Sequence, residues 1–201
     1  PSPLSPCLPP PLPPPSGSLP SPSSLRARLR LVCLPSPATP DHAHPRQAHK
    51  FTANEELRAG ADLWHEDREA AFARYGPMSD WDVSDITSMR GLFGVRTGID
   101  TSHFNEDLSR WNVSRVTNMG GMFCGATAFT GAGIGCWDVS SVTDMSFMLM
   151  DATAFNAPIG DWDVSSVTEM SFMINGATSF NQLFYILGYS PIIHVHSAPS
   201  L

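Results

Sequence analysis

The sequence predicts a repeat solenoid of the leucine-rich-repeat type, with a short parallel β-strand and a helical or 3₁₀ turn in each coil of about 25 residues. Three observations predict it. A string such as "DWDVSSVTEMSFM", residues 161–173, occurs four times with small changes. The Trp residues of the four copies are 30, 26 and 25 residues apart. The apolar residues within each copy keep the same register, which indicates a stacked structural unit.

Residues 1–50 are predicted to be a disordered, proline-rich tail. They contain fifteen of the nineteen prolines, with Ser and Leu between them. Proline has no backbone N–H, and this segment has no apolar pattern that would build a core. We therefore expect the folded part of the chain to begin at about residue 51.

A capping α-helix is predicted over residues 51–76. Thr52 and Glu55 form a T-x-x-E capping box at its start, and Gly76 followed by Pro77 ends it. Six apolar residues recur on one face at helical spacing: Leu57, Ala61, Trp64, Ala71, Phe72 and Tyr75. A helix in this position would cover the apolar edge that the first coil of a solenoid otherwise exposes.

Residues 77–187 are predicted to form the four coils. Within 154–164, Phe155, Ala157 and Ile159 alternate with polar or turn residues, which predicts a short strand with one buried face. From Trp162 to Met173 the apolar residues then recur about every three positions, and S-x-x-E and S-x-x-D patterns resemble capping boxes. This spacing predicts a short helical or 3₁₀ segment.

Stacking the four coils would align identical residues in columns and bury them. We assign three such columns to the structural core: Trp81, Trp111, Trp137 and Trp162; Met89, Met119, Met145 and Met170; and Phe104, Phe129, Phe155 and Phe180. The pattern is lost after Gln182, and Leu187 stands where a fifth Trp is expected. Residues 188–201 are therefore predicted to be an irregular tail beside an exposed apolar edge, as in a truncated array.

The charge balance excludes some functions. Residues 51–201 hold seven Lys or Arg and eighteen Asp or Glu, a net charge of −11, which argues against a nucleic acid partner. No apolar run reaches eighteen residues, so no transmembrane segment is predicted. Cys124 and Cys136 lie at non-equivalent places in neighbouring repeats, which favours two separate thiols but leaves a disulfide between them open.

The strings "WDVSSVTDMSFM" and "ATAFNAPIGDW" resemble the repeats of BspA-like leucine-rich repeat surface proteins, a repeat also defined as a mycoplasma domain of unknown function. The lead-in from "FTANEEL" to "YGPMSDWDVS" is similar to the segment that precedes such arrays. The resemblance covers about residues 51–182. It implies a right-handed solenoid, protein binding or adhesion, and a location at the cell surface or outside the cell; it implies no enzymatic activity.

The predicted function is therefore a non-catalytic module that binds a protein or another cell-surface ligand. Its binding face would be the strand side of the coils, with Asn105, Asn156 and Asn181, together with His103 in the lengthened loop 94–103. The alternative for the Asn residues is a structural ladder in which each side chain bonds the backbone of the next coil.

A calcium-stabilised repeat is the alternative function. The oxygen-bearing residues Asp82, Asn112, Asp138 and Asp163 occupy equivalent positions, and oxygen ligands suit Ca²⁺. The competing explanation is ordinary turn capping by Asp and Asn. There is no nucleophile elbow, phosphate-binding loop or metal-ligand spacing, so we expect neither catalysis nor a cofactor.

Overall fold

Two short helices precede the repeats in the computed structural model, which describes residues 48–182. Helix α1 spans Asn54–Glu66 and helix α2 spans Arg68–Tyr75. Two 3₁₀ helices follow, at Met78–Asp80 and Ile134–Cys136. The predicted C-terminal tail and all but the last three residues of the predicted proline-rich tail lie outside the described residues.

The predicted single helix over 51–76 is wrong in its details. Asp67 is extended (φ −146°, ψ 91°) and ends α1, and its carboxylate accepts a hydrogen bond from the Ala70 N–H at 2.9 Å, which caps α2. The predicted capping box at Thr52 is not formed, because the N-cap is Ala53 and the Thr52 N–H donates to Glu56 Oε2 at 3.1 Å. Phe72, assigned to the buried face, is 42% exposed, because the break at Asp67 starts a new helical phase.

The repeats are joined by a regular set of backbone hydrogen bonds. We number the repeats 1 to 4 by their Trp residues, and call residues 87–95, 117–125, 143–151 and 168–176 the ladder segments. In each of the first three repeats, four alternate N–H groups donate to carbonyls of the next repeat at 2.7–2.9 Å. Between repeats 3 and 4 these bonds are Met145 to Glu169, Phe147 to Ser171, Leu149 to Met173 and Asp151 to Asn175. All four bonds run in the same direction, and only the start of each segment donates back, as in Thr143 N–H to Thr117 O, so a parallel β-pairing with donors on both strands forms only there.

The ladder segments therefore lie where the sequence predicted a capped helical turn. Strand pairing takes the form of single-residue parallel bridges, Ser88 to Asn118, Asn118 to Asp144 and Asp144 to Glu169. Three-residue turns on either side, such as Val142 N–H to Val139 O and Met148 N–H to Met145 O, produce the apolar spacing of three. A series of such turns and a 3₁₀ helix share this spacing, so periodicity alone does not separate them.

The segment predicted as the strand has the expected burial pattern but no ladder. Phe155, Ala157 and Ile159 are buried, while Asn156 and Pro158 are exposed. The Asn156 N–H donates to the Thr130 carbonyl at 3.3 Å. Pro158, the next alternate residue, has no N–H to continue the pairing.

The Trp column links the repeats through its indole groups as well as through packing. All four Trp side chains are buried. The Nε1–H groups of Trp111, Trp137 and Trp162 donate to the carbonyls of Met78, Leu108 and Ile134, three positions before the preceding Trp, at 2.9–3.1 Å. Each of these carbonyls also accepts the backbone N–H of the preceding Trp, so the indole is a second donor that joins two repeats.

The Met and Phe columns also lie in the core. Met89, Met119, Met145, Phe104, Phe129 and Phe155 are buried, and Met170 and Phe180 in repeat 4 are partly buried. The Phe129 ring stacks on Phe123 of its own repeat, with centroids 4.0 Å apart and planes 14° apart. These contacts describe the core of the repeats; the solenoid class itself stays a prediction from the sequence.

The N-terminal segment occupies the place of a preceding repeat. The Phe51 N–H donates to the Asp82 carbonyl and the Asp82 N–H to the His49 carbonyl, both at 2.9 Å. At the start of α1, Asn54 Oδ1 accepts hydrogen bonds from the backbone N–H groups of Thr87 and Ser88 at 3.1 Å. The side chain of Asn54 thus supplies an acceptor that a further repeat would otherwise provide.

Candidate functional site

The predicted binding residues Asn105 and Asn156 are used inside the structure. Asn105 Oδ1 accepts hydrogen bonds from the N–H and the hydroxyl of Thr130 at 3.0 and 2.9 Å. Asn156 Oδ1 accepts from the Asn181 N–H at 3.2 Å and from Gln182 Nε2 at 3.0 Å. The structure therefore shows the alternative arrangement, in which each Asn oxygen bonds the next repeat.

His103 lies apart from these contacts in the lengthened loop. Its side chain is 91% exposed, and its Nε2 lies 3.9 Å from a carboxylate oxygen of Asp100, which is also exposed. A solvated pair at this distance is weak. The loop itself is closed by an antiparallel bridge between Arg96 and Ile99.

The column offered as calcium ligands is engaged in turns. Asp82, Asn112, Asp138 and Asp163 each accept a hydrogen bond from the N–H of the Ser two residues later, at 3.0–3.2 Å. Hydrogen bonds from the Ser84 hydroxyl and N–H lower the pKa of Asp82. Among residues 48–182 there is no group of three His, Cys, Asp or Glu residues placed to hold a metal ion. The geometry of the column is that of Asx turns.

One column differs in kind between the first and second halves of the array. The residues ten positions after each Trp are Gly91, Gly121, Phe147 and Phe172, and all four have left-handed backbones with φ of 60°, 62°, 57° and 55°. Glycine adopts this conformation freely, whereas it costs other residues about 1–2 kcal/mol. The two Phe residues are therefore held in a backbone conformation that disfavours them.

The ladder imposes this conformation on Phe147. Its own N–H donates to the Ser171 carbonyl at 2.8 Å. The neighbouring donors on either side, Met145 and Leu149, bond the next repeat at the same distance. Hydrogen bonds on both flanks thus hold Phe147 in its left-handed conformation.

The two Phe side chains form a stacked pair on the surface. Phe147 is 41% exposed and Phe172 is 59% exposed. Their ring centroids are 5.4 Å apart and their planes differ by 10°. The sequence did not mark them, because they fall between the positions of the apolar spacing of three residues. A comparison of the four copies at this position, two Gly followed by two Phe, was the available signal.

Acidic side chains accompany the aromatic pair. Asp144 and Glu169 each precede one of the Phe residues by three positions, which keeps their Cα atoms within about 11 Å. Asp144 Oδ2 accepts a hydrogen bond from Asn118 Nδ2 at 3.0 Å, and Oδ1 accepts from the Ser146 N–H and hydroxyl. Partial burial acts to raise the pKa of Asp144, but these hydrogen bonds outweigh it and lower the pKa. The carboxylate is therefore ionised at neutral pH.

The charges are unevenly divided along the array. Arg115 is the last Lys or Arg in the sequence, and residues 116–182 carry six carboxylates and no such cation. In the first half, by contrast, Asp85 pairs with Lys50 at 2.7 Å and with Arg115 at 3.0 Å. The half that carries the Phe pair is thus strongly negative.

Two other titratable side chains are partly buried. Cys124 is a free thiol, so the disulfide with Cys136 that the sequence left open is not formed. Burial, with a smaller effect of Asp151, raises the pKa of Cys124. His65 lies against the rings of Phe93 and Phe104.

The His65 ring is a second feature that the sequence did not indicate. Its Nε2 atom is buried and has no hydrogen-bond partner within residues 48–182. Burial, and then the charge of Arg96, lower the pKa of His65. The imidazole is therefore neutral at pH 7.

Comparison with known proteins places the chain in a family without assigning it a function. No curated protein and no solved structure matches the chain. Neither helix within residues 48–182 is long and apolar enough to span a bilayer. A family model described as "Mycoplasma protein of unknown function, DUF285" matches residues 66–186. Since this match covers more than half of the 201 residues, the chain belongs to the DUF285 family.

Proposed function

We propose that this chain is a non-catalytic repeat module, a short solenoid of the leucine-rich type related to BspA-like surface proteins, that binds another protein at the cell surface or outside the cell. Its binding surface is the exposed face of repeats 3 and 4, centred on Phe147 and Phe172. The single observation that carries the proposal is the exposure of two stacked aromatic rings on left-handed backbones.

The polar residues at equivalent positions support the Phe147–Phe172 surface by elimination, because they are engaged within the structure. The Asn side chains at 105 and 156 bond the next repeat. The Asp and Asn residues that follow the Trp residues close Asx turns. The Thr hydroxyls at 117, 143 and 168 donate to the carbonyl of the preceding Thr in the column at 3.0–3.2 Å. These groups stabilise the stack, and they do not converge on one point as catalytic groups would.

Phe at this position costs energy that Gly would not. Repeats 1 and 2 show that the ladder is formed with Gly at this position. Phe adds a backbone cost of about 1–2 kcal/mol per residue and leaves roughly half of each ring in water. Strained, exposed aromatic residues of this kind are typical of binding surfaces, where a partner covers the rings.

The experiment is site-specific photo-crosslinking in the full chain. Benzoylphenylalanine replaces Phe147, Phe172 or, as a matched control, the exposed Phe72 of helix α2. In an extract of the source organism we expect discrete adducts from positions 147 and 172 that excess unlabelled protein suppresses, and none from position 72. The absence of a discrete adduct at both ladder positions, or the same adduct at all three, would refute the proposal.

A further inference from the structure

We infer that the Phe147–Phe172 face takes a basic segment of the partner protein, with Arg side chains stacked on the two rings and Lys or Arg charges set against the surrounding carboxylates. This inference rests on the proposed binding function and adds the chemistry of the partner. It commits to a cationic polypeptide as the occupant.

The two exposed rings favour a cationic partner. The face of a phenyl ring is the negative side of its quadrupole and attracts a cation that lies over it. A guanidinium is planar and weakly hydrated, so it stacks on such a face better than an ammonium does. Phe172, at 59% exposure, presents the larger free ring area of the pair. The stacking contact therefore predicts a preference for Arg over Lys.

The charges near the two rings also favour a cationic partner. Asp144, Asp151 and Glu169 lie in the same ladder segments as the two rings. The segment from residue 116 to residue 182 contains no Lys or Arg that would neutralise them. Arg90 of repeat 1 is the basic side chain whose charge acts on Asp144. A face with this balance attracts cations over a range of about 10 Å at moderate salt.

Other occupants fit only one of the two features. An anionic partner, including a nucleic acid, would stack on the rings but would be repelled by the carboxylates. A neutral oligosaccharide would also stack on the rings and would gain nothing from the charge. A basic segment uses both the rings and the carboxylates, and the long-range attraction would raise its association rate.

The test uses the full chain and labelled hexa-arginine, hexa-lysine and hexa-glutamate peptides in fluorescence anisotropy titrations. The key variant is the double substitution Phe147→Leu with Phe172→Leu, which keeps apolar side chains on the left-handed backbones but removes the rings. Phe72→Leu is the matched control, and Glu169→Gln removes one exposed carboxylate. Circular dichroism establishes that each variant is folded before it is titrated.

The expected result is specific to the rings. Wild type binds hexa-arginine more tightly than hexa-lysine, and hexa-glutamate does not bind. The double variant weakens hexa-arginine binding about tenfold, since two exposed cation–π contacts contribute about 0.5–1 kcal/mol each, and the Arg preference disappears. Phe72→Leu leaves the affinity unchanged. Glu169→Gln weakens both cationic peptides by a similar factor and reduces the salt dependence.

Two results would overturn the inference. One is hexa-arginine affinity that the double variant does not change, because a diffuse acidic surface alone would then explain the binding. The other is equal or tighter binding of a neutral oligosaccharide that is lost in the double variant. The crosslinking experiment distinguishes failure of this inference from failure of the proposed function. If positions 147 and 172 capture a partner through a segment without Arg or Lys, the binding function is supported but the basic segment is refuted.

Discussion

The energetic cost of the left-handed column is directly measurable at Gly121. A Cβ atom added there would meet only the Cβ of Cys124, at 4.0 Å, so Gly121→Ala changes the backbone preference without a steric clash. The left-handed conformation costs Ala about 1–2 kcal/mol, and the stiffer unfolded chain returns about 0.4–1 kcal/mol. The expected net loss is about 1 kcal/mol of unfolding free energy, which lowers the melting temperature by about 3 °C.

Three further variants isolate the cause of that loss. Gly91→Ala is expected to cost the same, since a Cβ atom there has nothing within 4 Å and φ is 60°. Gly121→Asn should cost less than Gly121→Ala, because Asn tolerates the left-handed region. Gly94→Ala is a steric contrast: its φ is not left-handed, but its Cβ would lie 2.3 Å from the Gly121 carbonyl oxygen, so we expect a loss of about 1–3 kcal/mol.

The assay is urea denaturation of the full chain at pH 7, followed by far-UV circular dichroism. If Gly91→Ala and Gly121→Ala are both neutral or stabilising, the left-handed column carries no strain. The left-handed backbone of Phe147 and Phe172 would then give no support to a binding role for these residues.

Four other expectations follow from the contacts. Trp137→Phe should lower the unfolding free energy by about 1–3 kcal/mol, because it removes the indole hydrogen bond to the Leu108 carbonyl and leaves a space where the larger buried ring packed; a loss below 0.5 kcal/mol in urea denaturation would contradict this. Asn54→Ala should cost about 1 kcal/mol in the same assay, because the Thr87 N–H and its neighbour lose their acceptor, and an unchanged midpoint would argue against the cap. Burial lowers the pKa of His65 in the folded state, so the unfolded chain binds the proton more readily. The unfolding free energy should therefore be highest well above pH 6.5 and fall as the pH drops from 7 to 5.5. His65→Gln should flatten this pH profile, and an equally steep profile in the variant would show that another group causes the fall. Millimolar Ca²⁺ or EDTA should leave the melting temperature unchanged, because the candidate carboxylates close Asx turns; a large rise with Ca²⁺ would restore the calcium hypothesis.

The buried Trp, Met and Phe columns could be predicted from the sequence, whereas the backbone conformation of the ladder segments could not. Trp, Met and Phe at fixed intervals require equivalent environments in every copy, so their shared burial follows from the spacing. The interval of three residues is compatible both with a 3₁₀ helix and with a series of turns. The residue that separates the two, the left-handed position ten after each Trp, is marked by Gly in repeats 1 and 2 and hidden by Phe in repeats 3 and 4.

The proposed binding residues Phe147 and Phe172 were not selected from the sequence, for a related physical reason. Asn105 and Asn156 attract notice because polar groups at equivalent positions suggest a recognition surface. In a stack of repeats, however, each surface backbone group needs a partner from the next repeat, and short polar side chains supply it. Phe147 and Phe172 fall outside the apolar spacing of three residues, and the left-handed turn directs their rings to the surface.

The differences among the four repeats indicate a division of roles within the array. Asp85 in repeat 1 and Arg115 in repeat 2 occupy the same column and pair across the boundary at 3.0 Å, while repeats 3 and 4 have Ser at that position. The left-handed column changes from Gly to Phe between repeats 2 and 3. Repeats 1 and 2, joined to the N-terminal helices, thus carry the unstrained backbone and the paired charges. Repeats 3 and 4 carry the strain, the exposed rings and carboxylates with no Lys or Arg in the same repeats. Gly121→Phe should therefore extend the aromatic stack by one ring and strengthen hexa-arginine binding, at a cost in stability.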